Sequence, residues 1–350
     1  MRILIGEISS YKAIVIARYL RLHYPQAKII AYDHKPLIAS CHTRYADTCI
    51  ALPFRSIEDY IQQLAEYVHA ASIDVFIPVH SDYIGSILQQ KHLFGGALDY
   101  LGRYEDYIRL HQKDQLQEIA LSLDIRMPHK YDTAEEAKVP FVVKPSNLSS
   151  AKGVQYYRTE AEKNSLITLP PHTICQEYVE GQGCGYEVYC REGQILVEYG
   201  HMRLAEWPIS GGSSVLRQAY MHPDMRTIAE KILSRVPWTG FAMFEFKLTR
   251  DNQLVLIELN PRIWGSINQA LQDGCPLFEP ILGTPTVQKD VENVRTCLSP
   301  QVELAIMAYV LKGRKDVLTD YWNHRKQTRN DVSFWTDPKG LISMIIRKLL

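Results

Sequence analysis

Two apolar runs decide the fold: FAMFEFKLT at residues 241–249 and LVLIELN at residues 254–260. The polar tetrapeptide RDNQ, residues 250–253, separates them. Two strand-forming runs that are joined by a short segment containing Asp and Asn are typical of a β-hairpin. We therefore expect two adjacent antiparallel strands over residues 241–260.

The predicted hairpin carries two carboxylates and an amide within its apolar runs. Glu245 lies in the first strand, and Glu258 and Asn260 lie in the second. Residues two apart in a strand project from the same face, and the hairpin can bring Glu245 beside the other two. Three oxygen donors of this kind suit Mg²⁺ held between protein and phosphate groups. The alternative is a solvated hairpin face, although carboxylates among apolar neighbours are costly without a cation.

A lysine followed by a loop of small residues gives a second candidate site. Lys144 ends a predicted strand, FVVK, and the polar stretch SNLSSAKG follows it at residues 146–153. Backbone N–H groups and the hydroxyls of Ser149 and Ser150 can cradle phosphates, with Lys144 as a point charge. The alternative is a lysine at the start of an ordinary surface loop.

A third stretch, ICQEYVEG at residues 174–181, leaves a predicted strand in an extended conformation. Such a segment can offer backbone donors and acceptors to the edge of a purine, and a following glutamate can accept hydrogen bonds from ribose hydroxyls. An ordinary edge strand would give the same pattern.

The first third of the chain alternates short apolar runs with helical patterns. The runs lie at residues 2–6, 27–32 and 74–79, and residues 57–70 carry apolar side chains at helical spacing. This alternation predicts a parallel, doubly wound sheet with its ligand edge at the carboxyl ends of the strands. The first turn, residues 6–10, lacks the GxGxxG fingerprint, and the chain has no P-loop motif. If the protein binds a nucleotide, it must therefore do so through another motif.

The composition is that of a globular chain with balanced charge. The 350 residues contain 39 basic and 39 acidic side chains, and this balance argues against a dedicated nucleic-acid binder. Seven cysteines without a CxxC pair predict free thiols in a reducing compartment. There is no signal-peptide pattern and no apolar stretch of about 20 residues, so we expect a cytoplasmic protein without a transmembrane segment.

The order of the three motifs resembles the ATP-grasp superfamily of carboxylate–amine ligases. KPSNLSSAKG begins at residue 144, QEYVEG begins at residue 176, and the hairpin FEF…IELNPR follows. The resemblance implies a fold that combines the α/β and α+β classes. It implies a Rossmann-like pre-ATP-grasp domain over residues 1–105, a two-lobed ATP-grasp domain over residues 106–285, and a mainly helical C-terminal extension over residues 286–350.

The resemblance also implies that ATP and Mg²⁺, with Mn²⁺ as an alternative metal, are bound between the two lobes. The expected nucleotide contacts are Lys113 and Lys144 at the phosphates, Ser149, Ser150 and Gly153 in the loop above them, and Glu177 and Val179 at the adenine. Either Glu180 or Glu187 is expected to hold the ribose, because the intervening GQGCG stretch leaves that assignment open. The expected magnesium ligands are Glu245, Glu258 and Asn260.

Three basic residues are expected to act in catalysis: Lys144, Arg217 and Arg262. Arg262 matches the arginine that faces the transferred phosphoryl group in the family. Arg217 ends the segment HMRLAEWPISGGSSVLR, residues 201–217, which resembles a carbamoyl-phosphate-synthase-like bacterial branch and is expected to cross the acceptor cleft. Arg203 and Arg217 can each bind a carboxylate with two hydrogen bonds. The alternative is a glycine turn with surface arginines.

The resemblance implies an ADP-forming ligase that joins a small-molecule carboxylate to an amine through an acyl phosphate. No nucleic acid is expected as a partner. Two alternatives stay open: phosphoryl transfer of the carbamoyl-phosphate type, and a non-catalytic ATP-binding protein. The amphipathic segment at residues 341–350 is expected to dock on its own domain or on a second copy in a homodimer, with an interfacial membrane anchor as the alternative.

Overall fold

The protein is described by a computed structural model. The structure describes residues 1–34, 42–79, 81–146, 153–166, 168–209, 211–286 and 293–349. Within these residues, the strands form one parallel sheet of four strands, one antiparallel sheet of four strands, and one sheet of seven strands.

The first sheet is parallel, as the alternating pattern predicts. Its strands are β1 (Arg2–Ile5), β2 (Lys28–Asp33), β3 (Thr48–Ala51) and β4 (Val75–Ile77). The accompanying helices are α1 (Tyr11–His23), α2 (Ile57–Ala70), α3 (Ile84–Gln89) and a 3₁₀ helix (Lys91–Leu98). The strand order β3-β2-β1-β4 changes direction at β1. In such sheets, ligands bind at the carboxyl ends of the strands beside that point.

The second sheet is small and antiparallel. Its strands are β5 (Lys130–Tyr131), β6 (Phe141–Pro145), β7 (Gln155–Tyr157) and β8 (Thr173–Glu177), in the order β5-β8-β6-β7. The helices of this region are α4 (Tyr104–His111), α5 (Lys113–Ser122) and α6 (Glu160–Asn164). Phe141, Val143 and Cys175 are buried in its core.

The seven-stranded sheet contains the predicted hairpin at one edge. Its first strands along the chain are β9 (Gln182–Arg191), β10 (Gln194–Trp207), β11 (Ser213–Ala219), β12 (Gly240–Leu248) and β13 (Leu254–Asn260). The helices α7 (Asp224–Arg235), α8 (Ile267–Gln272) and α9 (Glu279–Leu282) belong to this part of the chain. The order is β13-β12-β9-β10-β11, followed by two strands from the C-terminal segment.

The C-terminal segment contributes strands as well as the expected helices. Its elements are β14 (Arg295–Cys297), α10 (Gln301–Leu311), α11 (Lys315–His324), a 3₁₀ turn (Arg325–Gln327), β15 (Thr328–Asn330) and α12 (Pro338–Leu349). The sequence gives no strand signal here, because three residues are too few to establish an alternating pattern. Both strands extend the large sheet beyond β11, so this segment is part of the main fold.

The first sheet packs against the seven-stranded sheet through a shared apolar core. Ile3 and Ile14 of the first region belong to the same buried cluster as Phe241 and Trp264. This packing brings the start of α1 close to the chain that follows β13. No helix in the described part of the chain is both long and apolar enough to span a bilayer.

Candidate active site

The hairpin forms as the sequence predicts, and it places two carboxylates opposite one another. Glu245 on β12 pairs with Glu258 on β13, and Met243 pairs with Asn260. The Asn260 Nδ2 group donates to Glu245 Oε1 at 3.0 Å and to Glu258 Oε1 at 2.9 Å. The three side chains that the sequence predicts as magnesium ligands are therefore in direct contact.

Two buried lysines stabilise the negative charge of Glu258. Lys113 begins α5, and its Nζ lies 3.6 Å from Glu258 Oε2. Lys144 in β6 donates to the carbonyl oxygen of Ile257 at 3.5 Å. Burial raises the pKa of Glu258, but the two lysines outweigh this effect and hold the pKa at about 2. Burial lowers the pKa of Lys144 to about 8, and Glu258 opposes that shift, so an anionic ligand would stabilise the charged lysine.

Two arginines contact the same group of side chains. Arg203 on β10 forms an ion pair with Glu245. Burial raises the pKa of Glu245, and Arg203 is the main opposing charge. Arg262 donates from Nη2 to Asn260 Oδ1 at 2.7 Å, and its buried Nε has no hydrogen-bond partner among the described residues. One buried donor therefore stays available for a ligand.

The donor set fits a divalent cation. Glu245, Glu258 and Asn260 supply carboxylate and amide oxygens, which are the ligands that Mg²⁺ prefers. The Asn260 amide nitrogen lies between the two carboxylates. A flip of the amide exchanges its nitrogen and oxygen and gives up the hydrogen bond from Arg262, so Asn260 can present its oxygen to a cation without a change in the backbone.

These side chains border a cavity of about 890 Å³, within the size range of roughly 300–1,000 Å³ typical of small-molecule sites. Glu177, Tyr178 and Val179 form one wall. The N–H groups of Glu177 and Tyr178 donate to backbone carbonyl oxygens at 2.8 and 3.1 Å. Among the described residues, none accepts a hydrogen bond from the Val179 N–H, so this group can serve a ligand in the cavity.

Most residues that the sequence predicts for the site lie at this cavity. Those in its wall are Lys113, Lys144, Glu177, Val179, Glu245, Glu258 and Arg262. Asn260 contacts two of them. Gly153 has a φ of 73° and precedes Val154, which lines the wall. Ser149 and Ser150 lie outside the described residues.

Arg217 does not line the cavity. Its side chain is fully buried and donates from Nη2 to Asp331 Oδ2 at 2.5 Å and from Nε to Thr296 Oγ1 at 2.9 Å. Both partners belong to the C-terminal segment, which packs beside β11. The structure therefore places Arg217 in a buried network, where it is inaccessible to a substrate in the cavity.

The two glutamates considered for the ribose lie in different environments. Glu187 is fully buried, accepts a hydrogen bond from Ser266 Oγ at 3.0 Å, and lies 3.0 Å from His201 Nδ1. Glu180 is exposed and forms an ion pair with Arg250 at 3.0 Å. Neither side chain lines the cavity, but Glu180 directly follows Val179 and has the accessible side chain.

The sequence interpretation missed the cavity residues of the C-terminal segment. These are Gln301, Tyr309, Lys312, Arg314 and Met344. The Tyr309 hydroxyl accepts a hydrogen bond from the Glu206 N–H at 3.4 Å, across 103 positions of sequence. No motif marks these residues, because their place at the site depends on a distant contact.

Residues 112–266 match the family model for the ATP-grasp domain. These residues form an ATP-grasp domain. The match extends from the residue before Lys113 to Ser266, and so includes the small sheet, the extended segment that contains Glu177 and Val179, and the hairpin. The ATP-grasp fold predicted from the sequence is thereby confirmed.

Solved structures share the ATP-grasp fold at low sequence identity. The biotin carboxylase domain of Hydrogenobacter thermophilus 2-oxoglutarate carboxylase, in complex with MgADP and bicarbonate, aligns with a TM-score of 0.62 and 13% identity, over 84% of this chain and 72% of its own. L-amino acid ligase from Bacillus licheniformis aligns with a TM-score of 0.57 and 15% identity, over 80% and 73% of the two chains.

N5-carboxyaminoimidazole ribonucleotide synthetase from Thermotoga maritima aligns with a TM-score of 0.56 and 17% identity, over 83% of this chain and 77% of its own. No curated protein sequence gives a significant match. At these identities, the structural similarity shows the fold alone.

Proposed function

We propose that this ATP-grasp protein is an ADP-forming ligase that joins a small carboxylate to an amine. One observation carries the proposal: two carboxylates, two lysines and an arginine meet in a cavity beside an extended segment with an available N–H group. In this proposal, residues 1–105, 106–285 and 286–350 are the pre-ATP-grasp, ATP-grasp and C-terminal domains.

The nucleotide would bind with its adenine at Glu177 and Val179 and its phosphates at Lys113 and Lys144. The Val179 N–H can donate to the purine edge. Glu180 is the better placed of the two ribose candidates. The structurally similar biotin carboxylase domain was solved with MgADP, which supports the proposal of a nucleotide in this fold.

Glu245, Glu258 and Asn260 would hold Mg²⁺ or Mn²⁺, which would neutralise phosphate charge when bound. Lys113, Lys144 and Arg262 stabilise the charge that develops as the substrate carboxylate oxygen attacks the γ-phosphorus and ADP leaves. The amine then attacks the carbonyl carbon of the acyl phosphate, loses a proton, and expels phosphate. This sequence requires no nucleophile from the protein.

A hydroxylamine trap tests the proposal. The protein is incubated with MgATP, hydroxylamine and a pool of amino acids and uronic acids, and the masses of ADP and hydroxamate are followed together. A hydroxamate that appears with ADP supports the acyl-phosphate route and identifies the carboxylate. ADP without hydroxamate favours another phosphoryl transfer. Nucleotide binding without turnover means either that the pool lacks the right carboxylate or that the site binds ATP without using it.

Substitution of Glu258 tests the metal assignment. Glu258→Gln is expected to lower ADP formation by at least about 100-fold, because the site loses a charged oxygen ligand. Glu198→Gln is the matched control, since Glu198 lies on β10 and bonds to Tyr186 and Arg226 outside the cavity. Normal turnover of a folded Glu258→Gln variant would contradict the proposed metal site.

A further inference from the structure

Helix α1 begins at the cavity. Ser9, Ser10, Tyr11 and Lys12 all line it. A helix of 13 residues concentrates partial positive charge at its N-terminus. Within α1, neither a capping side chain nor an acidic residue in the first turn compensates that charge, although the Asp33 carboxylate of β2 accepts hydrogen bonds from the N–H and hydroxyl groups of Ser9 just before the helix. Ser10 occupies the N-cap position, but its hydroxyl is buried and has no partner among the described residues.

Helix α2 shows what the start of α1 lacks. The Ser56 hydroxyl accepts a hydrogen bond from the Asp59 N–H at 3.2 Å, and Glu58 and Asp59 lie in the first turn of α2. These features compensate the positive end of α2 from within the helix. The corresponding groups of α1 face the cavity instead.

Ser214 gives a second, independent indication that a ligand binds in this cavity. It is 8% exposed, lines the cavity, and has a hydroxyl without a hydrogen-bond partner in the described part of the chain. Arg217 donates to the Ser214 carbonyl oxygen at 3.4 Å and is itself held by Asp331, which fixes the backbone. Since buried polar groups are normally paired, the Ser214 hydroxyl is expected to meet a ligand.

The start of α1 lies beside the chain that follows Arg262, and Ser214 lines the same cavity. A Cβ atom at Gly265 would come within 2.6 Å of the Tyr11 hydroxyl, so α1 begins against the chain that follows Arg262. Burial raises the pKa of Tyr11 to about 12, and the nearby charges of Arg217 and Arg262 oppose that shift. Arg217, in turn, contacts Ser214.

We propose that Ser10, Ser214 and the N–H groups at the start of α1 bind the carboxylate that the protein activates. The inference rests on the proposed ligase function. These groups act together as hydrogen-bond donors, a set that selects an anion. Because the proposed ligase activates a carboxylate, that group is the expected anion. Arg262 belongs to both sites and places the carboxylate beside the phosphate-binding lysines.

Acetate, the simplest stable probe of this site, can be followed by ¹³C NMR on the full-length protein saturated with MgADP. Binding of MgADP is measured in the same samples. Ser10→Ala and Ser214→Ala are each expected to weaken acetate binding by about tenfold, the effect of one lost hydrogen bond to a charged group, with unchanged MgADP affinity. Ser56→Ala, which removes the cap of α2 outside the cavity, is expected to leave acetate binding unchanged.

Each outcome separates this inference from the proposed function. Equal acetate binding by wild type and both cavity variants, or no acetate binding to the MgADP complex, would overturn the inference and leave the ligase proposal standing. Tighter binding of inorganic phosphate than of acetate would overturn the assignment to a carboxylate. Failure of the wild-type protein to bind MgADP would instead overturn the proposed function.

Discussion

Arg203 and Arg217 are directly opposite one another on the neighbouring strands β10 and β11, yet they serve different parts of the molecule. Arg203 pairs with Glu245 at the cavity, where the two side chains are 15% and 18% exposed. Arg217 pairs with Asp331, and both side chains are completely buried. The sequence predicts the same carboxylate-binding role for both arginines. In the structure, Arg203 and Glu245 form a partly exposed ion pair, the open pair, whereas Arg217 and Asp331 form a fully buried one, the closed pair.

The difference comes from what covers each arginine. Arg203 meets a carboxylate of the hairpin, which borders the cavity. Arg217 meets Thr296 and Asp331 of the C-terminal segment, and Asn268 donates to the same Asp331 carboxylate at 2.8 Å. Strand register therefore fixes the position of an arginine in a sheet, but the packing of distant segments decides whether a substrate can reach it.

Removal of the closed pair should produce the largest effect on stability. Arg217→Ala leaves Asp331 buried with one cation fewer, and we expect the free energy of unfolding to fall by about 3–5 kcal/mol. Chemical denaturation followed by circular dichroism measures this change. Arg226→Ala is the control, because Arg226 is half exposed and its surface ion pairs should contribute less than about 1 kcal/mol.

The opposite result for Arg217 is equally informative. If Arg217→Ala kept its stability but raised the KM for the carboxylate more than the KM for ATP, Arg217 would act at the acceptor site, as the sequence analysis expects. The structural comparison between the two arginines would then be wrong.

Removal of the open pair should affect activity more than stability. Without Arg203, burial and Glu258 raise the pKa of Glu245 further, and a protonated carboxylate cannot hold a cation. We expect Arg203→Ala to lower ADP formation about 10- to 100-fold, with a higher Mg²⁺ requirement. Titration of Mg²⁺ in the assay measures both quantities. Partial recovery in Arg203→Lys would support a role of charge, and an unchanged Mg²⁺ requirement would rule that role out.

The sequence predicts the parts of the site whose residues are close along the chain. Glu245, Glu258 and Asn260 fall within one hairpin, and alternation aligns Glu258 with Asn260. A shift in strand register between Glu245 and Phe246, which alternation does not predict, brings Glu245 opposite Glu258. Lys144 and Glu177 follow from motifs at strand ends. The parallel sheet follows from the alternation of apolar runs with helical patterns, although its shortest strand has only three residues.

The sequence does not predict contacts that depend on distant packing. Asp331 lies 114 positions from Arg217, and Tyr309 lies 103 positions from Glu206. Glu187 projects from the same sheet as Glu245, but Ser266 encloses it, and no pattern in either segment reveals that contact. Which carboxylates a ligand can reach is therefore a property of the folded chain.

The smallest expected effect is a pH dependence of stability that arises from His201. His201 is completely buried, and burial lowers its pKa from 6.5, although Glu187, 3.0 Å away, opposes the shift. The unfolded chain therefore takes up a proton at His201 before the folded protein does. This contribution to stability is present above pH 6.5 and is lost as the pH falls below it.

We expect wild-type stability to fall between about pH 6.5 and 5.5 by up to about 1.4 kcal/mol through this group, and His201→Asn to lack that part of the slope. Urea denaturation at several pH values measures the difference between the two proteins. Because His201 lies behind Glu187 and outside the cavity, the KM for MgATP should be the same in both at neutral pH. Identical pH slopes would show that His201 does not titrate differently on folding, whereas a changed KM would show that His201 influences nucleotide binding in the cavity.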